Sequence, residues 1–154
     1  MQLNLQYKYH SFHDLSNLDL YKILCLRNEV FVVEQQCIYQ DADGKDLDAV
    51  HILCYNEEKN LVSYARIIPP AINQPYPSIG RVITSPNYRK NGYGKSLMTY
   101  SISICRNLFS SSKIVISAQE YLQKFYENLG FKKVSETYLE DGIPHIKMIL
   151  TFKP

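Results

Sequence analysis

The chain has 154 residues, 45% of them hydrophobic and 21% charged, the proportions of an ordinary globular domain and not of a disordered or coiled-coil chain. That length supports one core covered by helices and is too short for two independent ones. With 17 Lys and Arg against 15 Asp and Glu, the formal charge of +2 is too small for a counterion-releasing nucleic-acid surface.

Leu3, Leu5, Tyr7 and Tyr9 alternate with polar residues and predict a first strand. Ser16 followed by Asp19 has the form of a capping box, opening a helix on which Leu20, Leu24, Arg27 and Phe31 share one face. Arg27 is the odd member, because a cation in an apolar stripe needs an ion-pair partner or a functional anion. Residues 36–45 end in DADGK and read as a polar loop, since the glycine comes too early for a calcium-binding EF-hand. Residues 50–55 and 61–68 read as the two strands of a hairpin. Pro69, Pro70, Pro75 and Pro77 then impose a loop.

A strand over residues 79–84, a turn over 85–91 and a helix entered at Gly92 or Gly94 come next, with Leu97, Met98, Ser101, Ile104, Cys105 and Leu108 on the buried face. Residues 113–118 read as another strand. Leu122, Phe125, Tyr126 and Leu129 form the stripe of a short helix ending at Gly130. Residues 131–139 and 143–152, around a Glu-Asp-Gly turn, read as an antiparallel pair, which completes a mixed α/β domain.

Cys25, Cys37, Cys54 and Cys105 form no C-x-x-C pair. They read as reduced core or near-core thiols of a cytoplasmic protein, and no zinc or other metal site is visible. Apolar runs such as residues 30–33 fall far below the roughly 20 residues of a membrane span. The opening MQLNLQYKYH lacks the apolar core of a signal peptide.

Chemistry concentrates in Arg89, Lys90, Asn91, Gly92, Tyr93, Gly94 and Lys95. The glycines let backbone approach a ligand, the helix start presents unpaired N–H groups, and three cations add charge, a combination suited to a pyrophosphate. The alternative is a turn that merely starts a helix. The spacing is neither a Walker loop nor a dinucleotide-binding G-x-G-x-x-G.

V-I-T-S-P-N-Y-R-K-N-G-Y-G followed by F-Y-E-N-L-G-F resembles the coenzyme A and tyrosine motifs of the GNAT superfamily of acetyl-CoA-dependent N-acetyltransferases. L-R-N-E-V-F-V-V-E-Q, Y-A-R-I, I-G-R-V, A-Q-E-Y-L and E-D-G-I-P-H-I extend the resemblance to its ElaA-like branch over nearly the whole chain. The resemblance implies a single-domain GNAT fold across residues 1–154: a mixed, mostly antiparallel sheet with splayed fourth and fifth strands and flanking helices. It implies acetyl-CoA as the cofactor, with Val82, Ile83 and Thr84 pairing with pantetheine by strand addition and Lys90 to Lys95 holding the diphosphate. Gln119 stands where many relatives have a cofactor-touching asparagine. Tyr126 matches the tyrosine that protonates the departing thiolate, although on its apolar stripe it also reads as a core residue.

The implied reaction is direct transfer to a small-molecule or peptide amine, with Glu34, Glu120, His51 and His145 as candidate bases. Glu34 and Gln35 end the first helix where relatives place acceptor-binding groups. Arg27, Arg66 and His145 are further acceptor candidates, the arginines alternatively serving as structural ion pairs. Many relatives dimerise, so a homodimer is an open expectation. Two other readings stand beside this one: a non-catalytic coenzyme A-binding module, and an acyl-homoserine lactone synthase suggested by Arg27-x-x-x-Phe31 with Asp43 and Asp46.

Overall fold

The computed structural model describes residues 4–154. The strands are β1 (Gln6–Ser11), β2 (Val50–Tyr55), β3 (Leu61–Ile68), β4 (Ser78–Thr84), β5 (Lys113–Gln119), β6 (Lys132–Lys133), β7 (Tyr138–Glu140) and β8 (Ile143–Thr151). The helices are α1 (Asn17–Arg27), α2 (Tyr93–Phe109) and α3 (Gln123–Glu127). One sheet runs in the order β1-β2-β3-β4-β5-β8-β6, with β7 also paired to β8. Every pairing is antiparallel except β4 with β5, so the sheet is mixed as expected.

Alternation along the central strands divides the side chains between two helical layers. Ile52, Ala65 and Ile67 pack with Leu97, Met98 and Cys105 of α2, whereas Leu53 and Tyr64 face Ile23 and Leu26 of α1. On β4, Ile79 joins the α2 layer and Ile83 the α1 layer, although four residues apart they should share a face. The pairing explains this: Gly80 lies opposite Arg66 and Ile83 opposite Tyr64, so Arg81 and Val82 together face Ala65. This bulge inverts the parity of β4, and Arg81 takes a left-handed φ of 50° within it.

Several sequence expectations need correction. The strand predicted from Leu3 starts at Gln6 in the described residues, and Leu3 lies outside them. Ser16 does cap α1, its Oγ accepting from the Asp19 amide at 3.0 Å, while the Asp19 carboxylate takes the Tyr55 hydroxyl. The buried face of α1 carries Ile23, Leu26 and Arg27, and Leu20, Leu24 and Phe31 are only half-buried. Beyond Arg27 the chain widens into a π-helical segment, Asn28–Glu34, whose end sends the amides of Gln35 and Cys37 back five residues to Val30 and Val32. A stripe extrapolated at 3.6 residues per turn cannot follow that widening.

Leu108 is 45% exposed, and Phe109, four residues after Cys105, packs against the core instead. The strand predicted over residues 131–139 is two short pieces. At the break Ser135 Oγ accepts the Lys147 amide at 2.8 Å from across the pair, so a side chain stands where a ladder carbonyl would. The short helix is reduced to α3, five residues preceded by a 3₁₀ turn at Glu120–Leu122. Cys25 is exposed rather than near the core, while Cys37, Cys54 and Cys105 are buried. Among the described residues, no helix is long and apolar enough to cross a membrane.

Candidate active site

The sheet opens in its middle. β4 and β5 are in register only where Ser78 faces Val115, and the Val115 amide donates to Pro77 O at 3.0 Å. Beyond that point the strands part, leaving a cleft of about 660 Å³ lined on one side by Val82, Ile83 and Thr84 and on the other by Ile116, Ala118 and Gln119. This volume falls within the roughly 300–1,000 Å³ typical of small-ligand sites. The splay implied by the family resemblance is therefore present.

Hydrogen bonding at the end of β4 shows what its free edge offers. The Ser85 amide donates to Val62 O at 2.8 Å, and Ile83 lies opposite Tyr64, so these residues use their polar groups toward β3. In an antiparallel pair the intervening residue points the other way. Thr84 thus turns its backbone polar groups toward the cleft, on the edge a strand-like ligand would use, and its carbonyl there accepts from Arg89 Nε at 3.3 Å.

The loop after β4 makes a 3₁₀ turn at Pro86–Tyr88, then passes through left-handed Lys90 (φ 66°) and Gly92 (φ 76°) into α2. Ser96 makes a helical bond back to Gly92 O at 3.2 Å, and the amides of the preceding turn point away from the helix toward the loop side. A Cβ at Gly92 would meet nothing within 4 Å, so one side of the loop is open. At Gly94 it would sit 3.7 Å from the Phe125 ring and 3.8 Å from Thr84 Oγ1, where α2, α3 and β4 converge. The open face, the helix start and the cations Arg89 and Lys90 fit a phosphorylated carrier.

The other loop candidates are placed differently. Asn91 braces the loop, its Nδ2 donating to Tyr88 O and Arg89 O at 3.1 and 2.9 Å. The Tyr93 side chain is buried with Cys54 and Val62, so any ligand role falls to its backbone. Lys95 borders a shallower hollow with Tyr7, Thr99 and Tyr100 on the flank of α2, outside the main cleft.

Tyr126 is 6% exposed but lines the cleft. Its ring is held edge-on by Phe125 and Phe131, with centroids 5.0 and 5.9 Å away. Burial pushes its phenol pKa well above the ordinary value. The group therefore keeps its proton throughout the neutral range.

Among the candidate bases, only Glu34 and His145 reach the cleft. His51 is fully buried, bonded through Nδ1 to the Tyr64 hydroxyl at 2.7 Å and through Nε2 to Asp46 O at 2.9 Å, and burial lowers its pKa. Glu120 is exposed and accepts from Thr137 Oγ1 at 3.1 Å. His145 faces Ile143 O through Nδ1 at 2.7 Å and Glu140 through Nε2 at 3.2 Å.

Two adjacent residues span the mouth of the cleft. Glu34 pairs with Arg89 at 2.9 Å, and Gln35 exchanges side-chain amide bonds with Gln119 at 3.3 and 3.5 Å. The end of the π-helical segment is thus tied to the loop that follows β4 and to the end of β5.

Arg27 is not part of the cleft. Its guanidinium is fully buried, 2.7 Å from Asp41 and 2.6 Å from Asp46, so the ion-pair alternative describes it. Arg66 borders the cleft but spends both terminal nitrogens on Asp43 and Asp46, at 2.6 and 3.0 Å. Burial alone would raise the Asp43 and Asp46 pKa values, but the hydrogen bonds and charge of Arg66 at Asp43, and of Arg27 and Arg66 at Asp46, override it and hold both below the ordinary carboxylate range. Arg81, which sequence reading passed over, completes the group by pairing with Asp41 at 2.7 Å. Its signal was the one noticed at Arg27, a cation within an apolar run. Together these residues clamp the DADGK loop against α1, β3 and β4 beside the cleft.

Comparison with known proteins agrees with this geometry. The family model of the acetyltransferase (GNAT) domain matches residues 19–152. A UPF0039 protein of Schizosaccharomyces pombe is 48% identical over 148 residues, spanning 96% of this chain and 97% of its own. The crystal structure of an acyl-CoA N-acyltransferase from Pseudomonas aeruginosa superposes with a TM-score of 0.90 at 39% identity, covering 96% of this chain and 100% of that one. That of Escherichia coli ElaA gives 0.89 at 40% identity, covering 96% and 99%. With the family model spanning most of the sequence and close relatives matching end to end, this chain belongs to the GNAT acetyltransferase family, alongside ElaA and the UPF0039 proteins.

Proposed function

We propose that the protein is an acetyl-CoA-dependent N-acetyltransferase that passes the acetyl group directly to an amine. The observation carrying this reading is the parting of β4 from β5, which aligns a free strand edge, a cationic loop at a helix start and a buried phenol along one cleft. The relative described as an acyl-CoA N-acyltransferase supports it.

Val82, Ile83 and Thr84 would hold the amide-bearing arm of the carrier, with residues 89–95 at its diphosphate and Gln119 on the opposite strand. When bound, acetyl-CoA supplies an acyl group activated as a thioester. Glu34 or His145, which both line the cleft, would receive the proton that an ammonium acceptor must lose before it can attack. Tyr126 would offer its phenolic proton to the departing sulfur. No covalent enzyme intermediate is needed. The buried thiols of Cys37, Cys54 and Cys105 fit a cytoplasmic enzyme.

The test is thiol release from acetyl-CoA across a panel of amines, comparing the wild type with Tyr126→Phe. Turnover on at least one amine, sharply reduced in the variant, is expected. Tight coenzyme A binding with no turnover on any amine would instead identify a binding module.

A further inference from the structure

The Arg89 side chain does two things at once. Its Nε donates to Thr84 O at 3.3 Å, and its terminal nitrogen holds the Glu34 carboxylate at 2.9 Å. The first contact occupies the outward-facing carbonyl at the free edge of β4, the acceptor that a strand-like ligand amide would use. The second neutralises one of the two candidate bases in the cleft. A ligand arm laid along β4 therefore competes with Arg89 for Thr84, and a diphosphate on the adjoining loop competes with Glu34 for Arg89.

The bridge is built to yield. Both partners are about two-fifths exposed, Arg89 at 40% and Glu34 at 41% by side chain. Exposed pairs of this kind shift an equilibrium by at most about fivefold. The neighbouring Gln35–Gln119 link does not involve Arg89, so the backbone beside Glu34 remains tethered to β5 when the ion pair opens.

We propose that Arg89 is a positioning residue that couples the two halves of the cleft: engagement of coenzyme A draws its guanidinium away from Thr84 and Glu34, and this frees the Glu34 carboxylate for the acceptor amine. The inference rests on the acetyl-CoA reading above. It adds that the acceptor's carboxylate is masked until the carrier is in place. By linkage, the carrier weakens the pair by as much as the pair weakens carrier binding.

The test is calorimetric titration of coenzyme A into the wild type, Glu34→Gln, Arg89→Gln and the double variant. Both side chains are exposed, so all four proteins should fold. Removing the Glu34 charge frees Arg89 and should tighten binding about threefold to fivefold, the most a pair of this exposure is worth. In the Arg89→Gln background the same Glu34 change should alter affinity by less than twofold, because no bridge remains to break. Equal tightening in both backgrounds would reduce the effect to long-range charge removal and overturn the proposal. An unchanged affinity in Glu34→Gln alone would also overturn it while leaving the acetyl-CoA reading intact. Absence of binding by the wild type would end both.

Discussion

Ser78 on β4 faces Val115 on β5, the single register position at which these neighbouring strands meet. The rest of the functional geometry follows from that relationship. A sheet paired along its full length would spend the β4 edge on β5. Paired only at its base, it leaves Thr84 facing a cleft that also receives the start of α2 and the ring of Tyr126.

The loop assignment predicts a charge effect at Gly92. This residue has a φ of 76° and open space where a side chain would go. Asn and Asp tolerate the left-handed conformation better than other substituents. Gly92→Asn and Gly92→Asp should therefore fold alike, while the aspartate alone places a negative charge at the phosphate site. Calorimetry should show coenzyme A binding weakened about tenfold more by Asp than by Asn, and the difference should shrink at high salt.

Tyr126→Phe separates the two readings of that residue. A general acid typically contributes about 10²–10⁴-fold in rate, so kcat should fall by at least about 10²-fold with KM little changed. The Phe125 and Phe131 packing is retained in the variant, so its urea midpoint should stay close to that of the wild type. A stability loss without a rate effect would make Tyr126 a core tyrosine.

The arginine and aspartate clamp predicts both a large mutational cost and an acid limit. Breaking a buried ion pair from one side typically costs about 3–5 kcal/mol; Arg27→Met leaves Asp41 still paired with Arg81 and Asp46 with Arg66, so its loss by urea unfolding should fall at the lower end of that range. Asp43 and Asp46 have folded pKa values below their unfolded ones. Their stabilisation is therefore complete above the unfolded value of about 3.9 and is lost as pH falls through the folded values. Stability should decline on acidification below about pH 4, and in Arg66→Met, where the depression is relieved, the acid-dependent part of that decline should be smaller.

The thiols predict an ordered reactivity. Cys25 is exposed, and it should titrate rapidly with a disulfide reagent in the native protein. Cys105 is fully buried and its pKa is pushed up to about 12 by burial, so it should react only on unfolding. Because its folded pKa exceeds the unfolded one, this group costs no stability below about pH 8.5. It destabilises progressively as pH rises from there toward 12.

The local part of the account was readable from residues near one another in sequence. Ser16 and Asp19 marked the start of α1, Gly92 or Gly94 the entry to α2, which Gly92 caps, and Arg27 announced that it needed a partner or a functional anion. The anions themselves, Asp41 and Asp46, lie in a loop whose acidic residues looked like those of any solvated turn. The β4 bulge was hidden because it exists only in the register of β3 against β4, and no property of Arg81 and Val82 alone encodes it. The Glu34–Arg89 and Gln35–Gln119 links join residues 55 and 84 positions apart, so they are products of the tertiary fold. The widening of α1 into a π-helical segment, which brings Glu34 and Gln35 to the cleft, likewise had no periodic signal.

The central claim is that the β4–β5 cleft and the loop over residues 89–95 hold one coenzyme A, its sulfur directed at Tyr126. A crystal structure of the protein soaked with coenzyme A tests this most directly. The account predicts the pantetheine arm beside Val82, Ile83 and Thr84, the diphosphate against the loop, and the thiol within hydrogen-bonding reach of the Tyr126 hydroxyl. A carrier seated elsewhere, or a Tyr126 hydroxyl walled off from the thiol, would contradict it.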